Sequence, residues 1–193
     1  MARRAPEGPF DLASLVPGSG PFELEIGFGR GRFLMERTAA APESRVVGIE
    51  IKAKWAHLVE ERRIRLGMDR VVALAGDARE ILPRIEPASQ LQRAFIHFPD
   101  PWWKQRHSKR RVVDADVLDQ LARLLVPGGE LFVQTDVQHR FDDMRAQIAE
   151  HAAFEFVPCD ANPYGARSNR EVRADEDGLP VHRILAHRRP SSA

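Results

Sequence analysis

The chain holds a single cysteine, Cys159, so neither an intrachain disulfide nor a cysteine-based zinc site can form within it. Long apolar runs are also missing: none approaches the roughly 18 residues that a membrane helix requires. The opening stretch MARRAPEGPF carries positive charge with no apolar segment behind it and reads as no signal peptide. An excess of one charge is absent too, since 29 basic and 28 acidic residues leave a net charge of +1. A uniformly basic nucleic-acid binder is thereby excluded, and any anionic partner must be met by a local patch. The seven histidines are scattered, with no His-Glu-x-x-His spacing, so no metal centre is expected. No internal repeat or Gly/Ser linker divides the 193 residues. Together with 43% hydrophobic and 30% charged residues, this predicts one soluble globular domain over 1–193, with residues 1–20 as a short mobile arm.

Within that length, short β-rich runs alternate with amphipathic stretches. Strands are predicted at Phe22–Gly27, Arg45–Ile51, Val71–Asp77, Arg93–Phe98, Glu130–Asp136, Phe154–Pro158 and Val181–Arg188. Helices are predicted at Arg32–Ala41, Lys52–Leu66, Asp114–Val126 and Gln138–His151. Val117, Leu118, Leu121, Leu124 and Leu125 share one helix face, and Pro127-Gly128-Gly129 is the expected stop. Such alternation implies an α/β fold, a mostly parallel sheet with helices on both faces. The last two strands, with no helix predicted between them, suit an antiparallel edge hairpin. Their connection, Cys159 to Pro180, is long for a plain hairpin loop.

The first strand ends in Glu25-Ile26-Gly27-Phe28-Gly29-Arg30-Gly31, a glycine turn between strand and helix. Glycines there let a ligand approach the backbone. A dinucleotide turn needs its third glycine one residue later than Gly31, which argues against NAD. The G-x-G-x-G spacing, with Glu25 two residues ahead, resembles S-adenosylmethionine-dependent methyltransferases. Strand 2 closes on Glu50, 23 residues beyond Gly27, where a carboxylate can take ribose hydroxyls. Strand 3 closes on Asp77, which could accept from an adenine amino group or simply cap a helix. Three acids on one rim point to a nucleoside-type cofactor.

Strand 4 runs into FPDPWWKQRHSKRR. Lys104, Arg106, Lys109, Arg110 and Arg111 carry positive charge with no acid among them, suited to phosphates, and His107 lies in the same loop. Two tryptophans precede them and could stack on an exposed base. Asp100 sits between two prolines on the cofactor rim. This segment resembles the signature of bacterial tRNA (guanine-N7-)-methyltransferases, F-P-D-P-W-x-K-x-R-H-x-K-R-R, and the likeness covers most of the chain. Ser168-Asn169-Arg170-Glu171 is similar to that family's C-terminal T-x-[YF]-E segment, with Ser168 replacing Thr and Arg170 standing where an aromatic is common.

The resemblance implies a Rossmann-like class I methyltransferase fold with seven strands. It also implies methyl transfer from S-adenosylmethionine to N7 of a guanine in the tRNA variable loop. A cytoplasmic monomer or homodimer with no metal or membrane partner is expected beside it. Glu25, Gly27, Gly29, Gly31, Glu50, Asp77 and Asp100 would hold the methyl donor, and Asp100 would be catalytic. Lys104, Arg106, His107, Lys109, Arg110, Arg111, Asp136, Ser168, Asn169, Arg170 and Glu171 would meet the RNA. A methyltransferase of a small heterocycle and a non-catalytic RNA-binding partner of the same fold are the alternatives.

Overall fold

A computed structural model of the chain describes residues 2–99 and 113–190. Among them, seven strands make one sheet: β1 Phe22–Ile26, β2 Arg45–Glu50, β3 Val71–Ala75, β4 Leu91–His97, β5 Leu125–Thr135, β6 Phe154–Val157 and β7 His182–Arg188. The helices are α1 Arg32–Ala40, α2 Ala53–Arg65, α3 Ala78–Ile81, α4 Ala115–Leu124, α5 Gln138–Glu150 and α6 Asn169–Glu176. Strand order is β3-β2-β1-β4-β5-β7-β6, parallel from β3 through β5, with β7 antiparallel to both of its neighbours. The expected architecture is the observed one, with the hairpin partner β7 inserted between β5 and β6.

Strands β1 and β3 are buried along their whole length, as parallel strands covered on both faces must be. Alternation then sorts their side chains. Val46, Val71, Ala73 and Ala75 pack with Leu34 and Met35 of α1 and with Ala56 and Val59 of α2. Val47, Ile49, Val72 and Leu74 belong to the larger core that takes in Leu118 and Leu121 of α4 and Ile148 of α5. Gly48 marks where α1 comes closest: a Cβ there would meet Leu34 Cδ1 at 2.5 Å and Phe28 Cδ1 at 2.6 Å.

Three features depart from the sequence expectation. Helix α4 ends at Leu124, and β5 begins at once and takes in Pro127-Gly128-Gly129. The register slips there, from Leu91↔Leu125 to Arg93↔Glu130, so the three residues form an irregularity in the strand rather than a helix stop. Second, an eight-residue helix, α6, interrupts the Cys159–Pro180 connection, capped by the Ser168 hydroxyl, which accepts from the Glu171 N–H at 3.1 Å. Third, residues 3–16 lie along the sheet in place of a loose arm. The Ala75 N–H donates to the Arg3 carbonyl at 2.7 Å, the Phe10 N–H to that of Arg84 at 2.8 Å, and Leu12 and Val16 are fully buried.

The connection between β6 and β7 is strapped to the sheet by a charge ladder across β1, β4 and β5. Glu23 is fully buried, and Arg37 meets its two oxygens at 2.6 and 2.7 Å. Arg93 donates to Glu23 Oε1 at 2.9 Å and to Glu130 Oε2 at 2.7 Å. Arg37 Nη1 also donates to the Tyr164 carbonyl at 2.8 Å, and the Tyr164 hydroxyl donates to Glu130 Oε2 at 3.2 Å. Each buried charge is thus met from more than one side, the condition under which such networks hold together. The strap delivers α6 to the carboxyl ends of the strands.

Candidate functional site

Strand order reverses between β1 and β4, and ligands of open α/β sheets bind beyond the strand ends at that point. A cleft of about 750 Å³ opens there. Glu25 and Gly27–Arg30 from β1 and its turn, Glu50–Lys52 at the end of β2, Gly76–Arg79 after β3 and Ile96–Pro99 at the end of β4 line it. Ser168, Asn169, Arg170 and Arg173 close it from α6.

The glycine turn is built for close approach. Gly27 (φ +76°) and Gly29 (φ +54°) are in the left-handed region, and a Cβ on either would meet nothing within 4 Å. The left-handed backbone, not packing, is what requires glycine at these two positions. Gly31 differs: it lies outside the cleft lining, and a Cβ there would strike Val59 Cγ2 at 2.6 Å. Its left-handed φ of +72° and its packing against α2 both require glycine.

Glu50 braces this turn. Its Oε2 accepts from the Gly29 N–H and its Oε1 from the Lys52 N–H, each at 2.8 Å, with the side chain almost buried. Each oxygen keeps further acceptor capacity toward the cleft. Asp77 caps α3, accepting from the Arg79 N–H at 2.9 Å, and its residue also lines the cleft. The capping reading of Asp77 holds, and the residue lies where the ligand reading would need it. Glu25 is the deepest of the three acids, at 1% exposure. Its Oε1 lies 2.9 Å from His97 Nδ1, while Oε2 has no partner among the described residues. Burial pushes the Glu25 carboxyl above the ordinary range, His97 opposes that shift, and the nearby charge of Glu50 adds to it.

The residues expected to meet RNA divide into three groups. Ser168, Asn169 and Arg170 line the cleft, and Arg170 is ion-paired with Asp136 just past β5. Glu171 lies behind that wall at 2% exposure, accepting from Gln134 Nε2 at 2.9 Å and from Asn162 Nδ2 at 3.0 Å, with Arg183 at 3.3 Å. There it ties α6 to β5 and β7. Lys104, Arg106, His107, Lys109, Arg110 and Arg111 lie outside the described residues, as does Asp100, the residue expected at the methyl donor.

Several lining residues escaped the sequence reading. Trp55, in the first turn of α2, has the Arg30 guanidinium 5.1 Å from its ring centroid. Ile51, 65% exposed, is an apolar residue at the cleft mouth directly after Glu50, a position that could have signalled it. Phe98 takes a left-handed φ of +48°, held by its N–H donating to the Gln134 carbonyl at 2.7 Å. Strained non-glycine backbone of this kind clusters at functional sites. Among the described residues no group of three or more His, Cys, Asp or Glu is placed to hold a metal ion, and no helix is long and apolar enough to cross a membrane.

Comparison with known proteins points to one family. A family model described as a putative methyltransferase matches residues 19–178. A tRNA (guanine-N(7)-)-methyltransferase of Synechococcus sp. (strain JA-2-3B'a(2-13)) is 37% identical over 172 residues, covering 88% of this chain and 72% of the relative. One of Myxococcus xanthus (strain DK1622) is 38% identical over 184 residues, covering 92% and 88%. The chain belongs to the tRNA (guanine-N(7)-)-methyltransferase family.

Solved structures agree on the fold of this family member. The 16S rRNA methyltransferase KamB superposes with a TM-score of 0.64 at 15% identity, covering 98% of this chain and all of its own. TrmN from Thermus thermophilus gives 0.63 at 20% identity, covering 92% of this chain and 47% of that one. In this methyltransferase chain the glycine turn and the ends of β1–β4 form one wall of the cleft, and α6 forms the other.

Proposed function

We propose that the protein transfers a methyl group from S-adenosylmethionine to N7 of a guanine in the tRNA variable loop. The observation that carries the reading is the convergence of Glu25, Glu50 and Asp77, from three successive strands, on one cleft beside an open glycine turn, in a chain of this family. The residues fit such a donor. Glu50 can accept ribose hydroxyls with its remaining lone pairs, Asp77 can accept from a purine amino group, and Ile49, Ile51 and Ile96 offer apolar surface to the base. The orphaned Oε2 of Glu25 fits a cationic N–H donor. When bound, the donor supplies an electrophilic methyl group on a positively charged sulfur.

Guanine N7 carries an in-plane lone pair and no proton, so this chain needs no general base for its attack. Its work is positioning and electrostatics. Asp100, next in sequence after Phe98 and Pro99, is the carboxylate we assign to the positive charge that develops on the purine. Asp136 can accept from the N1–H and N2–H edge of guanine, and the partly exposed Arg170 beside it can neutralise backbone phosphate. Lys104, Arg106, His107, Lys109, Arg110 and Arg111 are the further side chains we assign to backbone phosphate by their charge in the sequence, and the enzyme acts on tRNA in the cytoplasm.

The decisive experiment incubates pure protein with methyl-labelled S-adenosylmethionine and unmodified tRNA, then maps the modified nucleotide. Label at guanine N7 in the variable loop is expected. Label on another base, or on small heterocycles only, would overturn the substrate assignment. No label on any acceptor would overturn the enzyme reading.

A further inference from the structure

One buried titratable side chain at the cleft has no part in the reaction as described so far: His97, the last residue of β4. Its ring is caged by Phe33, with centroids 4.2 Å apart, Phe95 at 5.9 Å and Phe132 at 6.0 Å. Nδ1 faces Glu25 Oε1 at 2.9 Å, and Nε2 is buried with no partner among the described residues. Among the described residues Nε2 meets no acceptor, so the tautomer that fits this cage carries its N–H on Nδ1 and donates it to Glu25.

That bond fixes which oxygen of Glu25 is left over. Oε1 is occupied, and Oε2 remains a buried anionic acceptor on the cleft floor. Among the described residues the other charged group whose field reaches Glu25 is Glu50, which repels it, and the neighbour of His97 on β5, Gln134, is neutral. A buried carboxylate in this position needs a donor that is also a cation. S-Adenosylmethionine has two positive centres, and the sulfonium has no N–H or O–H to give. Its α-ammonium has three.

We propose that His97 is a positioning residue: it turns and anchors the Glu25 carboxylate so that Oε2 is presented to the α-ammonium of the methyl donor. Without the Nδ1–H, a carboxyl this deep, beside Glu50, loses both the bond that orients it and the partner that opposes the upward push of burial. The inference deepens the donor-binding reading of the cleft and rests on it.

The test titrates two probes calorimetrically into wild type, His97→Phe and His97→Asn. S-Adenosylhomocysteine keeps the α-ammonium, whereas 5′-methylthioadenosine has the same nucleoside and no amino-acid portion. His97→Phe should weaken S-adenosylhomocysteine about ten- to a hundredfold, the scale of a lost charge-assisted hydrogen bond. Binding of 5′-methylthioadenosine should stay within about twofold, which also reports that the cleft has folded. His97→Asn places an amide N–H near the lost Nδ1–H and should restore S-adenosylhomocysteine to within about fivefold of wild type. Unchanged S-adenosylhomocysteine binding in His97→Phe, equal weakening of both probes, or failure of Asn to rescue would each overturn the inference. Wild type that binds neither probe would overturn the donor-binding reading itself, and the inference with it.

Discussion

Replacing Glu50 by alanine separates support of the glycine turn from ligand binding. In the folded chain this carboxylate accepts from two backbone N–H groups, Gly29 and Lys52, each at 2.8 Å, and is only 5% exposed. Alanine strands both donors. An unsatisfied buried donor costs about 1–3 kcal/mol, but Lys52 is exposed and water can reach its end, so we expect a total near the lower half of that range. For a chain of this size each kcal/mol moves the melting temperature by about 2–4 °C. A fall of several degrees should therefore accompany Glu50→Ala, although no apolar cavity opens. Affinity for S-adenosylhomocysteine should fall further, by about ten- to a hundredfold, because the ribose acceptor and the shape of the turn are lost together. Differential scanning calorimetry and isothermal titration measure the two effects on one preparation. A variant with wild-type melting temperature would show that the two backbone bonds carry no net stability. Wild-type affinity would refute the assignment of Glu50 to the cofactor.

Further expectations follow from the other acids and from the basic loop. Burial alone would raise the carboxyl of Glu23, but its bonds to Arg37 and Arg93 outweigh this and hold it below its ordinary value of 4.5. Its contribution to stability is then present above that value and lost as pH falls through the depressed one, so the destabilisation by Glu23→Gln should shrink below about pH 4.5 in thermal melts. Glu25 has the opposite sign: its carboxyl is raised by burial, so its charged form penalises the fold as pH rises. Glu25→Gln should melt at or above the wild-type temperature at neutral pH, with the difference vanishing in acid, while binding S-adenosylhomocysteine at least tenfold more weakly. If Lys104, Lys109 or Arg110 meets a phosphate, its removal should lower the slope of log K against log salt for tRNA by about one. An unchanged slope in filter binding would make that side chain a solvated bystander.

The elements that the amino-acid pattern alone revealed are those decided within one segment. Seven strands, the helices α1, α2, α4 and α5, the glycine turn and the acids Glu25, Glu50 and Asp77 at successive strand ends all follow from periodicity and turn chemistry over a dozen residues or fewer. Helix α6 was also written locally, since Ser168 and Glu171 have the spacing of a capping pair. It was missed because the helix buries only Glu171 and Ala174 and so shows no apolar stripe. What no segment could show is which side chain meets which. His97 reaches Glu25 because β4 lies beside β1 in the sheet, although 72 residues separate them in the chain. Arg170 reaches Asp136, and Glu171 turns away from the cleft toward Gln134 and Arg183, because the Tyr164 strap sets α6 against the ends of β5 and β7. The first residues pack along β3 because Phe10, Leu12 and Val16 find apolar surface that exists only once the sheet has formed. Pairings of this kind are set by strand order and by the burial of groups distant in sequence, and only the closed tertiary structure brings those groups within hydrogen-bonding reach.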